Sequence, residues 1–160
     1  MDDNPTFDGF AYPTIAFLGS YSLGPVPHET AHQWFYSPVG NDQYRDPWLS
    51  EGLATWAQTG PEGSLASITA MTIPAVARNR IGEPMSYWDP PGFNALRLGV
   101  YVQTAQALND LGSAGAVDCA LRQFVVQNAY RATVPRDLLA ALTPYFPDAE
   151  QKLTARGAHF

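Results

Sequence analysis

One cysteine, one lysine and no long apolar run set the first limits on this chain of 160 residues. A lone Cys119 excludes an internal disulfide and a cysteine-rich zinc ribbon, and reads as a small buried apolar side chain. The only lysine is Lys152, and nine basic residues stand against fifteen acidic ones for a net charge of −6. The basic residues are scattered from Arg45 to Arg156, so no stripe of positive charge exists to meet phosphates, and nucleic acid is excluded as a partner class. No stretch approaches the eighteen uncharged apolar residues that a membrane span needs. The first residues, Met1 to Pro5, have neither the basic region nor the apolar run of a secretory signal. The chain therefore reads as soluble, with its compartment open.

What is present is a globular composition, 46% hydrophobic and 15% charged. The length suits one domain over residues 1–160, with a strand region at 1–26 and a helical body over 27–160. Residues 4–24 are rich in Gly, Pro and aromatics, and Tyr12–Leu18 has the β-branched and aromatic content of a short strand or hairpin within residues 9–18. Prolines then punctuate a series of helices. One opens at Pro27 and runs through His28 to Tyr36, where Ser37-Pro38 ends it. Asp46-Pro47 opens a second that Gly60-Pro61 stops. A third helical pattern spans 62–81 with a kink at Pro74, and 82–93 reads as a Pro/Gly loop. Helical spacing returns from Phe93 to Leu111, stopped by Gly112, and from Ala114 to Tyr130. Short helices follow over Leu138–Leu142 and Pro147–Ala155.

His28-Glu29-Thr30-Ala31-His32 lies inside the first of these helices. Positions i and i+4 sit about 40° apart around a helix axis, so both imidazoles reach one ion. A catalytic zinc takes three protein ligands and keeps a fourth position for water, and two imidazoles with one carboxylate form a suitable set. Glu29, between the two, is placed to take a proton from that water and later hand it to a leaving amine. The third ligand has few candidates among five glutamates and the remaining His159. Glu51 is the best, because an antiparallel helix pair joined through residues 37–45 returns it to the histidines; the alternative is a solvated helix carboxylate. Asp46 reads as an N-cap, or else as the carboxylate partner of a ligand imidazole. Tyr101 reads, from periodicity alone, as a core aromatic on an amphipathic helix.

His28-Glu29-x-x-His32, followed after eighteen residues by Glu51, resembles the motif of the aminopeptidase N family of gluzincins. The likeness extends over His28 to Tyr36, over Val39-Gly40-Asn41-Asp42-Gln43, and over Pro47 to Thr55. It implies a mainly α, thermolysin-like catalytic domain with a remnant strand or hairpin at the amino terminus, one zinc ion, and a peptide substrate. It also implies that Tyr101, in Val100-Tyr101, supports the oxyanion of the tetrahedral intermediate, although Thr104 stands where the family commonly has glycine. Upstream, the family's glycine-methionine-glutamate element, whose glutamate holds the substrate's free amine, has its nearest match in Gly9-Phe10-Ala11-Tyr12-Pro13. Ala11 occupies the glutamate position there, and the family's large amino-terminal β-domain has no counterpart. The expected function is zinc-dependent peptide hydrolysis, with a non-catalytic zinc-binding or degenerate homologue as the alternative.

Overall fold

A computed structural model of the chain describes residues 9–18 and 25–160. The expected Gly/Pro/aromatic tract therefore lies outside the described residues at 4–8 and 19–24, as does the segment Met1 to Pro5. Residues 9–18 form a hairpin of β1 (Gly9–Tyr12) and β2 (Ile15–Leu18), antiparallel, with Ala11 opposite Ala16. Pro13 and Thr14 make the turn, Thr14 at a left-handed φ of 71°. Gln33 fastens the hairpin to the helical body: its Oε1 accepts the Thr14 N–H at 2.9 Å and its Nε2 donates to Tyr12 O at 3.1 Å.

The body is mainly α-helical, as expected, with boundaries that depart from the sequence reading in instructive ways. The first helix, α1, is Val26–Ala31 and does not continue to Tyr36. From there the chain tightens into turns, with Gln33 N–H on Thr30 O and Trp34 N–H on Ala31 O, and enters β3 (Val39–Asn41). A 3₁₀ turn, Pro47–Leu49, precedes α2, Glu51–Glu62. This second helix runs past Gly60-Pro61 although Pro61 has no N–H to offer the carbonyl four residues back, and it stops at Gly63 with φ 63°. The predicted helix over 62–81 shrinks to α3, Leu65–Thr69. Ile73 precedes Pro74, and the residue before a proline is pushed out of the helical region. Within the expected loop over 82–93, Met85–Trp88 forms a short helix, α4, because Trp88 is buried and donates to Glu83 O at 3.2 Å.

The stretch from Phe93 to Leu111 is helical throughout but not uniform. It comprises α5 (Phe93–Leu96), a wider π-helical turn over Arg97–Val102, and α6 (Gln103–Leu111). The Gln103 N–H reaches back five residues to Leu98 O, which is the hydrogen bond of a π turn. Helix α7 is Ala114–Asn128, capped by Ser113, whose hydroxyl accepts the Ala116 N–H. Next comes β4 (Arg131–Thr133), then α8 (Pro135–Leu142) and α9 (Ala149–Ala155). Strand β4 pairs in parallel with β3, and Thr133 Oγ1 donates to Gly40 O at 3.0 Å. Cys119 corrects the sequence reading: it lies exposed on α7.

Helix α2 packs against both α1 and α6, and its apolar side supplies Leu53, Ala54 and Trp56 to the core beside the buried Trp48. The approach of α2 to α6 is close. A Cβ on Gly52 would lie 2.5 Å from the Cβ of Thr104, so the bulk of threonine at 104 is accommodated by glycine at 52. Two buried glutamines on α6 hold the irregular chain over 68–81. Gln103 accepts the Asn79 N–H at 2.7 Å and donates to Ala77 O, while Gln106 donates to Ile68 O and to Met71 O. Gln103→Leu strands a backbone donor and an acceptor, each costing about 1–3 kcal/mol, so a loss of roughly 2–6 kcal/mol in urea unfolding is expected. A variant as stable as the parent would show that water replaces the amide.

Candidate metal centre

Both histidines come from the α1 region. Pro27 stands in the first turn of α1, where its missing N–H loses no helical bond; His28 and Glu29 follow, and His32 caps the helix. The 3₁₀ turn at Pro47–Leu49 aims the chain so that Glu51 opens α2, with Ser50 buried behind it. One carboxylate oxygen of Glu51 lies 3.2 Å from His28 Nε2 and 3.4 Å from His32 Nε2. The three donor atoms all fall within 4.8 Å of one another. A tetrahedral ion with bonds of ~2.0–2.1 Å holds neighbouring ligand atoms ~3.3 Å apart, so the two measured edges have the dimension zinc requires. Two neutral-capable imidazoles and one carboxylate also have the donor chemistry that zinc takes.

The electrostatics follow from this crowding. Burial raises the carboxyl pKa of Glu51, but hydrogen bonds and charge from His28 and His32 outweigh it and hold the group at about 2. Burial lowers the basicity of His28, while the Glu51 hydrogen bond and charge, aided by Gln58 and Glu29, more than reverse this, leaving its pKa raised. Glu29 is buried beside the pair, and the backbone of β1 comes close over it: a Cβ on Gly9 would lie 2.7 Å from Glu29 Oε1. Tyr101, in the π turn, stacks its ring on His28 with centroids 5.7 Å apart and planes 9° from parallel. Burial, then the neighbouring carboxylates of Glu51 and Glu29, push its phenol pKa well up. The hydroxyl therefore keeps its proton at any physiological pH.

All five expected side chains, His28, Glu29, His32, Glu51 and Tyr101, thus gather at one place. Asp46 does not join them. It caps nothing through its side chain, its backbone O accepts from Asn41 Nδ2 at 2.8 Å, and it bonds neither imidazole. The partner of His28 is Gln58, whose Oε1 lies 2.7 Å from Nδ1. The sequence carried a signal for it, since Gln58 is seven residues, two helical turns, beyond Glu51 and so on the same face of α2. Among the described residues, none hydrogen-bonds the buried Nδ1 of His32.

No family model matches the chain. Among curated proteins, aminopeptidase RNPEPL1 of Mus musculus is 32% identical over 170 aligned positions, which cover 94% of this chain and 24% of that protein. The Homo sapiens protein of the same name is also 32% identical, with 23% of its length covered. The chain therefore spans about a quarter of the length of the curated relatives it matches. Among solved structures, an M1 zinc metallopeptidase from Deinococcus radiodurans bound to a Tyr-Ser-Ala substrate superposes with a TM-score of 0.71 at 23% identity, covering 95% of this chain and 37% of that one. An M1 zinc metallopeptidase structure from the same organism gives a TM-score of 0.69 at 24% identity, covering 92% and 35%. Over nearly its whole length the chain is thus similar to a segment of the RNPEPL1 aminopeptidases, and its mainly helical fold is that of the M1 zinc metallopeptidase structures.

Proposed function

We propose that the chain is the catalytic domain of a zinc-dependent metallopeptidase in which His28, His32 and Glu51 hold one zinc ion. The observation that carries this reading is the convergence of three donors at 3.2 and 3.4 Å edges, with a buried carboxylate, Glu29, in the same helical turn. When bound, the ion supplies Lewis acidity toward the scissile carbonyl and lowers the pKa of water to about 7. Glu29 takes the proton of the attacking water and returns it to the departing amine, acting as base and then as acid. Tyr101, kept protonated by its surroundings, donates its hydroxyl to the oxyanion, a charge that develops only on the way to the tetrahedral intermediate. Tyr101 comes from the π turn, and its ring stacks on that of His28.

Ala11 bears on which peptides are cut. It lies on β1, a strand that approaches Glu29 at Gly9, and by the resemblance to the family's glycine-methionine-glutamate element it puts a methyl group in place of the carboxylate that holds the substrate's amine. The expected outcome is that a peptide with a free amino terminus and the same peptide acetylated are cleaved at rates within about threefold, since no counter-charge at 11 distinguishes them. A preference of a hundredfold for the free amine would mean that another residue holds the ammonium.

The same alanine favours a second reading, a zinc-binding module that performs no hydrolysis. Zinc would then raise the melting temperature through binding to the folded state alone. One experiment separates the two: metal analysis of the purified chain, followed by digestion of a peptide library with and without chelator. Chelator-sensitive cleavage supports the peptidase, and stoichiometric zinc without cleavage supports the module.

A further inference from the structure

Helix α2 continues through Pro61 to Glu62, and this places Glu62 one turn beyond Gln58. Gln58 Nε2 lies 3.2 Å from Glu62 Oε2, while Gln58 Oε1 lies 2.7 Å from His28 Nδ1. Ser64 Oγ donates to the same Glu62 oxygen at 3.0 Å. An ionised carboxylate only accepts, so the end of the Gln58 amide that faces Glu62 is the NH₂ group. The end facing His28 is then the carbonyl, and a carbonyl only accepts, so Nδ1 of His28 carries hydrogen. In a neutral imidazole that leaves the lone pair on Nε2, the atom turned toward Glu51.

We infer that Ser64, Glu62 and Gln58 form a relay that fixes the tautomer and ring orientation of His28, making Gln58 and Glu62 positioning residues for the metal centre. The relay is one-sided. Among the described residues nothing bonds Nδ1 of His32, so that ring is held by Glu51 at Nε2 alone, while His28 is held at both nitrogens. The acceptor on His28 is also a neutral amide, which raises imidazole basicity less than a carboxylate does. Along this chain of bonds the charge is that of Glu62, an exposed side chain at the end of the helix. The state of the His28 ligand is therefore set partly from the protein surface.

The inference rests on the zinc reading above, and its test keeps the two apart. Zinc dissociation constants are measured by competition with a chromophoric chelator for the parent, Gln58→Leu, Glu62→Ala, Gln58→Glu and the pair Gln58→Glu with Glu62→Ala. Loss of such supporting hydrogen bonds weakens metal binding by about 10- to 100-fold, so Gln58→Leu is expected to fall in that range and Glu62→Ala to lose about tenfold. A carboxylate at 58 needs no orienting partner, so Glu62→Ala is expected to cost nothing in the Gln58→Glu background. Equal losses in both backgrounds, or zinc affinity within twofold of the parent in both Gln58→Leu and Glu62→Ala, overturn the relay. A second readout needs no zinc. Long-range ¹H–¹⁵N spectra of the metal-free chain are expected to show the His28 Nδ1–H form protected from solvent exchange in the parent and unprotected in Gln58→Leu, and equal exchange in the two overturns the relay. If the parent binds no zinc while His28 shows the protected Nδ1–H form, the zinc reading fails and the relay stands.

Discussion

Glu29→Gln is expected to keep about one zinc per chain while peptide turnover falls by about 10³-fold, within the usual range for removal of a general base. The substitution suits the site because glutamine has the shape of glutamate. The backbone at Gly9 comes so near Glu29 that its missing side chain would stand 2.7 Å from the carboxylate, and a change of volume at 29 would displace β1. The amide fills the same space and cannot take a proton from water. Metal content is read by elemental analysis and turnover on a quenched peptide library. A Glu29→Gln variant that still cleaves within tenfold of the parent removes Glu29 from the mechanism, whatever the metal content.

Glu51→Ala is expected to produce the largest loss in metal binding. Zinc sites bind with roughly 10–16 kcal/mol in total, so one ligand of three or four accounts for about 3–4 kcal/mol, on the order of 10²- to 10³-fold in affinity. Proton linkage adds a pH signature in the parent. The Glu51 carboxyl is depressed from 4.5 to about 2, so its stabilising contribution in the metal-free chain is complete above 4.5 and is lost as pH falls toward 2. The His28 imidazole is raised above 6.5, so its contribution is complete below 6.5 and is lost as pH rises through the folded value. Metal-free protein is thus expected to melt at its highest temperature in the weakly acidic range and to weaken on the alkaline side. Zinc has the opposite slope there, since bound imidazoles must be unprotonated. The gain in melting temperature on adding zinc is expected to grow between about pH 5.5 and 8. A gain independent of pH, or one that survives Glu51→Ala undiminished, contradicts the ligand assignment.

The residues of the candidate metal centre were the most legible part of this chain. Two imidazoles four apart and a carboxylate beyond the next turn are types that few other roles explain, and the structure brings them together. The helical class was legible for the same kind of reason, because the apolar spacing of Phe93–Leu111 and Ala114–Asn128 is local. What was hidden depends on contacts distant in sequence. The parallel pairing of Val39–Asn41 with Arg131–Thr133 joins three-residue strands some ninety positions apart, too short to announce themselves. The collapse of the helix expected over 62–81 is sustained by Gln103 and Gln106, whose amides satisfy backbone groups that a helix would have satisfied itself. Asp46 was misread because a carboxylate before proline looks like a cap. The true neighbour of His28 was an uncharged amide, a residue type with no strong prior for the role.

The widened turn at Arg97–Val102 bears on which way Tyr101 faces. A π turn holds about one residue more than an α turn. The extra residue shifts the angular phase by roughly 100°, which is the difference between a phenol aimed at the histidine and one aimed into packed side chains. The stacking of Tyr101 on the histidine thus depends on the count of residues in this one turn, with ordinary α-helix in α5 and α6 on either side.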